Sequence, residues 1–210
     1  MYTLYYTPGA ASFVVHWLLI EIGAPHELRR LDPEAREQKS AAYLRLNPNG
    51  LVPTLLIDGE PVYECAALTL LLAERHPDAL LAPPAASRAR ALYLQWTLHL
   101  ANTLQPQFRN WFYPDEAAGA AHAELVKDRA RMALEQAWGR IDGHLGASGG
   151  WIAGGRPSSA DFYAAMLARW SRNQPRPATD WPHVKALVTA LKARPSFATL
   201  NEREGLTEWR

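Results

Sequence analysis

The sequence predicts an α/β unit in the order βαβ, α, ββα, followed by an all-helical unit. Three observations predict it. Short strand and helix signals alternate up to about residue 75. A proline-bearing stretch, 78–87, then separates the two halves. Beyond it every apolar pattern has helical period. The expected boundaries are 1–77 for the first domain, 78–87 for the linker and 88–210 for the helical domain.

The elements follow in order. Tyr2–Tyr6 is short, aromatic and stopped by Thr7-Pro8-Gly9, which makes it a strand. Ser12 opens an apolar helix that ends at Gly23 and Ala24-Pro25. His26–Leu31 is the second strand. Arg36–Leu46 is helical and must end before Asn47-Pro48. Thr54–Ile57 and Pro61–Tyr63 flank Asp58-Gly59, a strong hairpin signal. Cys65–Arg75 is an apolar helix. In the second half, Leu92, Trp96, Leu100 and Leu104 recur every four residues. Further stripes run through Leu134, Trp138, Ile141 and Leu145, then Phe162, Met166 and Trp170, then Val184, Leu187, Val188 and Leu191. Ser158 and Asp161 form a capping-box pattern ahead of Phe162. His16 and Trp17, on a helix apolar nearly all round, read as core.

Composition excludes several classes of function. The 210 residues are 48% apolar and 20% charged, with net charge +1 from 22 basic and 21 acidic side chains. That balance gives no reason to expect a nucleic-acid partner. The single cysteine, Cys65, permits no internal disulfide and fits a reducing compartment. No apolar run is long enough to span a bilayer. The seven histidines are scattered, so no metal site is expected. Gly150–Pro157 lacks the Lys-Ser/Thr ending of a phosphate loop.

Three blocks carry a resemblance. They are Leu4-Tyr5-Tyr6-Thr7-Pro8-Gly9-Ala10-Ala11-Ser12, then Asn47-Pro48-Asn49-Gly50-Leu51-Val52-Pro53-Thr54-Leu55 with Asp58-Gly59 and Glu64-Cys65-Ala66-Ala67, and Gly154-Gly155-Arg156-Pro157-Ser158-Ser159-Ala160-Asp161. In this order and spacing the chain resembles the cytosolic glutathione S-transferases, bacterial members in particular, over nearly its whole length. The resemblance implies a thioredoxin-like first domain that binds glutathione and an all-α helical bundle that contributes the electrophile site. It implies a cytoplasmic homodimer with glutathione as co-substrate, a small hydrophobic electrophile as second substrate and no further cofactor.

It also implies roles for particular residues. Val52, before a cis Pro53, would offer its N–H and C=O to glutathione's cysteinyl backbone as an added strand would, with Leu51 beside it. The start of the helix at Glu64-Cys65 would meet the γ-glutamyl carboxylate, and Glu64 the ammonium. The family usually carries serine where Cys65 stands. A thiol is a weaker donor, so weaker glutathione binding is expected. Lys39 would reach the glycyl carboxylate, or is a solvated helix lysine.

The reacting species is a thiolate, and a free thiol with a pKa near ~8.5–9 is mostly protonated at neutral pH. A positioned hydroxyl and a helix N-terminus both stabilise the anion. Ser12 supplies both on the expected helix start, and Tyr6 at the end of the first strand is its rival. Related bacterial members often have cysteine at the place of Ala11, so a mixed disulfide at that position is excluded. The resemblance places Ala10 and Ala11 in the electrophile site. Phe108, Trp111, Phe112 and Tyr113 would face the electrophile, or form core or a dimer contact. A non-catalytic relative using the same fold for binding stays open.

Overall fold

The computed structural model describes residues 1–209. Two compact units result, residues 1–82 together with 192–210, and residues 83–191.

The first unit is a four-stranded mixed sheet. Strands β1 (Tyr2–Tyr6), β2 (His26–Arg30), β3 (Thr54–Ile57) and β4 (Glu60–Tyr63) lie in the order β2-β1-β3-β4. β1 runs parallel to β2, and β3 is antiparallel to both β1 and β4. The hairpin turn takes positive φ at both Asp58 and Gly59, the conformation an Asp-Gly pair favours. Helices α1 (Ser12–Glu21) and α3 (Cys65–Arg75) supply the core with Phe13, Val14, Trp17, Leu18, Leu68 and Leu72, all fully buried. The architecture is thioredoxin-like, in the order the sequence predicts.

Two features of this unit depart from expectation. The segment 36–46 is not one helix. It is a 3-10 turn, Glu37–Lys39, followed by the short α2 (Ala41–Leu44). Ser40 divides them: its backbone is extended and its hydroxyl caps Tyr43 N–H, so it starts a new helix rather than continuing the old one. The second departure is the C-terminal segment, which sequence reading counted with the helical domain. Helix α10 (Pro195–Glu204) belongs to the first unit, because Phe197 stacks on Trp17 of α1 with ring centroids 5.1 Å apart and Trp17 Nε1 donates to Ser196. No helix was predicted there, although Pro195 at its first turn and Gly205 just past its end mark it.

The second unit is helical throughout: α4 (Arg88–His99), a π-helical turn (Leu100–Leu104), α5 (Gln105–Phe112), α6 (Pro114–Ala118), α7 (Ala123–Ala147), α8 (Ser159–Trp170) and α9 (Pro182–Lys192, whose last residue groups with the first unit). The long first helix expected from its stripe is interrupted by Pro106. Proline has no N–H for the Asn102 carbonyl, and the ladder widens so that Gln105 N–H reaches back five residues to Leu100. The buried face of α4 runs through Tyr93, Thr97 and Leu100 rather than Leu92 and Trp96. The stripes on α7 and α9 are buried as the sequence predicts, and α8 is buried on nearly all sides.

The capping box on α8 is complete. Asp161 Oδ2 accepts from Ser158 N–H at 2.7 Å, and its Oδ1 accepts from Ile152 N–H at 2.8 Å. Among the described residues no helix is long and apolar enough to cross a membrane.

Ser158→Ala removes one side of the box and should lower stability by about 1 kcal/mol in chemical denaturation. Burial pushes the Asp161 carboxyl up to about 6, against the pull of the Ile152 and Ser158 donors. A carboxyl raised in the folded state contributes stability that is complete below its unfolded value and lost as pH rises through the folded one. The fall should therefore lie between about pH 4 and about 6. The difference in melting temperature between the native protein and D161N, which has no carboxyl to titrate, should shift across that window and stay constant above it.

Candidate functional site

One end of the sheet gathers the residues the sequence singles out. β1 pairs Tyr5 with Thr54, and β3 pairs Thr54 with Tyr63. One step further along each strand, Tyr6, Pro53 and Glu64 therefore lie side by side. Helices α1 and α3 both begin at this end, which places two helix N-termini beside the strand ends.

The bend before Pro53 is built by polar side chains. The Leu51 carbonyl accepts from Tyr43 Oη at 2.7 Å and from Asn47 Nδ2 at 2.9 Å. Thr54 Oγ1 bonds the same two side chains at 2.7 and 3.2 Å. Burial raises the Tyr43 hydroxyl's pKa, while Thr54 and Asn47 pull it down. The Val52–Pro53 bond is cis. Neither the N–H nor the C=O of Val52 bonds any described residue. Leu51, 44% exposed, turns its side chain outward.

Lys39 arches over Gly50. Its Nζ donates to the Asn49 carbonyl at 3.0 Å, which leaves two of its three donors uncommitted. Gly50 has φ +60, and a Cβ there would lie 2.8 Å from the Gln38 carbonyl and from Lys39 Nζ. Only glycine fits beneath this arch.

Glu64 also has positive φ, +79, uncommon for a residue other than glycine and a source of strain of the kind found at ligand clamps. Its side chain does not cap α3 and is exposed. Cys65 is buried, and its Sγ donates weakly to the Ala11 carbonyl at 3.4 Å. The thiol thus ties the start of α3 to the start of α1.

Ser12 is the first residue of α1, not its cap. The cap is Ala11, which makes no side-chain bond. The Ser12 side chain is fully buried, donates to the Thr7 carbonyl at 3.1 Å and accepts from Thr7 N–H at 3.2 Å. Its hydroxyl hydrogen is therefore already given to the loop. Tyr6 is 8% exposed, its ring lies 5.8 Å from that of His16, and its hydroxyl bonds no described residue. Ala10 and Ala11 are half-buried in the connecting loop.

In the helical unit the aromatic segment divides. Phe108 is fully enclosed between Phe112 and Trp170, with centroids 6.1 and 5.6 Å away. Of the alternatives open for this segment, Phe108 is core and does not face a substrate. Trp111 is partly covered by Lys127, whose Nζ lies 4.8 Å from the ring centroid. Phe112 and Tyr113 stay open, at 46% and 50% exposure, and the Arg109 guanidinium lies 4.5 Å from the Tyr113 ring centroid. Arg109 is itself held by a two-pronged bond to Glu116. Among the described residues no group of three or more His, Cys, Asp or Glu side chains is placed to hold a metal ion.

A bent strand end with unpaired backbone, set between two helix starts, invites comparison with known proteins. The model of the glutathione S-transferase N-terminal domain matches residues 10–75, and that of the C-terminal domain matches residues 124–190. The glutathione S-transferase GstA of Escherichia coli O157:H7 is 30% identical over 205 residues, covering 97% of this chain and 98% of that protein. The chain belongs to the glutathione S-transferase family. The glutathione S-transferase GST-4.5 of Xanthomonas campestris is 33% identical over 171 residues, 80% of this chain and 81% of its own length. Among solved structures, a glutathione transferase from Methylococcus capsulatus superposes with TM-score 0.86 at 29% identity, covering 98% of this chain and 100% of that one. A glutathione transferase homologue from Sulfitobacter, with bound glutathione, gives TM-score 0.89 at 25% identity over 97% and 98% of the two chains.

Sequence reading missed His16 and Glu204 as members of this region. Their carboxylate–imidazole pair joins α1 to α10, and α10 itself carried no predicted role.

Gly50→Ala should lower stability by about 1–3 kcal/mol, since the added methyl meets the Gln38 backbone oxygen and a positive φ at once.

Proposed function

We propose that this chain is a glutathione transferase: it binds glutathione, holds its thiol ionised and conjugates it to small apolar electrophiles. The observation that carries this reading is the unpaired Val52 backbone at the sheet end where α1 and α3 both begin without a side-chain cap. An extended cysteinyl backbone pairs with a free strand edge as a further strand would. Carboxylate and thiolate are both anions, and a helix N-terminus favours each. We assign the γ-glutamyl carboxylate to the start of α3 with Glu64 taking the ammonium, the glycyl carboxylate to Lys39, and the sulfur to the start of α1 beside Ala10 and Ala11.

The geometry favours Tyr6 over Ser12 as hydroxyl donor to the sulfur. Tyr6 has its hydrogen to give, whereas Ser12 has already given its own to Thr7. One charge-assisted hydrogen bond of ~1.5–3 kcal/mol is enough to lower a thiol pKa by about one to two units. We assign the electrophile's apolar contact to the open faces of Phe112 and Tyr113, with Trp111 beside them. We further propose a cytoplasmic homodimer that acts in detoxification and needs no cofactor beyond glutathione as co-substrate; sedimentation of the purified protein tests the dimer.

A second reading, a non-catalytic glutathione-binding or interaction protein, draws on the Ser12 hydroxyl being closed on Thr7 and on Cys65 standing where the family usually has serine. The two readings part at the thiol. Ultraviolet absorbance of bound glutathione, titrated with pH, should show ionisation near neutral pH in the native protein. Y6F should raise that midpoint by about one to two units, with a matching loss of turnover against a panel of electrophiles. S12A should lower stability more than it moves the midpoint. A native protein that binds glutathione only as the thiol would leave the non-catalytic reading standing.

A further inference from the structure

The C-terminal helix places one buried carboxylate against the loop that leads into α1. Glu204, 5% exposed overall and with a fully buried side chain, accepts from Gly9 N–H at 2.7 Å through Oε2 and from His16 at 2.9 Å through Oε1. His16 Nε2 is buried with no partner, so the proton belongs on Nδ1, where it meets an acceptor. Resting on the functional reading above, we propose that Glu204 is a positioning residue for the glutathione thiol: its carboxylate, braced by His16, clamps Gly9 and so fixes the loop from Thr7 to Ala11 whose end receives the sulfur.

Three side chains hold this loop, each at a different point. Ser12 grips Thr7 through both its N–H and its C=O, Cys65 bonds the Ala11 carbonyl, and Glu204 grips the middle at Gly9. A further turn bond, Ala10 N–H to the Thr7 carbonyl at 3.1 Å, closes the loop on itself. Glu204 reaches it from the C-terminal helix, and the Thr7 hydroxyl donates to the Leu31 carbonyl at 3.0 Å.

A buried carboxylate is an expensive way to hold a helix, since apolar residues of similar volume often do as well or better. Helix α10 has other anchors besides it. Arg194 and Ser196 both bond Glu21 of α1, Trp17 Nε1 bonds Ser196, and Phe197 and Leu200 are buried. What Glu204 adds to these anchors is a bond to His16 of α1 and the hold on Gly9.

The groups that face this pair are few. The His26 ring lies 5.6 Å from the His16 ring, its Nδ1 meets the Ala24 carbonyl at 2.7 Å, and its Nε2 faces Arg203 at 3.2 Å. Burial lowers the His26 pKa, and His16 and Arg203 add to the shift against the Ala24 bond. The Tyr6 ring centroid lies 5.8 Å from that of His16.

The sign of one measurement separates positioning from its rivals. Glu204→Gln removes a negative charge from the neighbourhood of a thiolate. If the charge alone mattered, the midpoint of bound glutathione's thiol would fall. If Glu204 only stabilised the fold, the midpoint would stay, as it should in S158A, which serves as a control of lowered stability remote from the loop. The proposal expects the midpoint to rise by about one unit toward that of the free thiol, with a several-fold higher KM for glutathione and faster amide exchange at Gly9. A fall, or no change, overturns it. Glu204→Asp keeps the charge but shortens the reach by one methylene. It should raise the midpoint as well, and provides the reading if the glutamine variant does not fold. Calorimetry of the native protein comes first: absence of glutathione uptake there would overturn the functional reading itself, before any variant is compared.

Discussion

Backbone polar groups left unpaired inside a protein are costly, and the first unit of this chain is organised around leaving several of them available at one place. Val52 offers an N–H and a C=O that no described residue takes. Two helices begin beside it without side-chain caps. A domain can keep such groups in place only if everything around them is fixed. Tyr43, Asn47 and Thr54 do this for the bend before Pro53, with four hydrogen bonds converging on the Leu51 carbonyl and the Thr54 hydroxyl. The core of Leu4, Phe13, Trp17 and Leu68 beneath the sheet end supplies the rigidity.

The same logic applies to two side chains with a chemical look that also brace the loop. Ser12 and Cys65 stand where a hydroxyl and a small polar group are expected to meet the ligand. Both instead bond the loop between β1 and α1, Ser12 at Thr7 and Cys65 at Ala11. A donor that has given its hydrogen to a carbonyl cannot give it to a sulfur at the same time. Under the proposed function, the groups left to meet a thiolate are main-chain N–H groups at the start of α1, whose partial positive charge is part of the helix itself, and the Tyr6 hydroxyl.

Much of this arrangement was legible in the sequence, and what was not has physical reasons. Strand β1 and helix α3 were placed to the residue, because their signals are local: an aromatic run stopped by Pro-Gly, and an apolar run after a hairpin. The cis bond and the open Val52 edge followed from the resemblance around Asn47–Thr54, not from the Val-Pro pair, which elsewhere marks an ordinary turn. The break at Ser40 was hidden because a cap in the middle of a helical pattern looks like one more polar residue. Phe108 and Phe112 were inseparable by spacing, since burial of one and exposure of the other depends on where Trp170 of α8 falls. The Glu204–His16 pair spans 188 residues, and no local pattern reports a contact at such separation.

A ligand site built from main chain has a consequence for how it tolerates change. Side-chain donors are lost by a single substitution, whereas a strand edge and a helix start persist as long as the backbone keeps its course. Ala11 and Cys65, where related bacterial proteins often have cysteine and usually have serine, illustrate this: neither replacement removes an N–H from α1 or α3. What the fold must protect instead is the course of the chain at a few points, Gly50 beneath Lys39, Glu64 in its strained conformation, and Gly9 held by a carboxylate from the far end of the sequence. Under the proposed function, substitutions that free the main chain at these points should weaken binding as much as substitutions of side chains at the site.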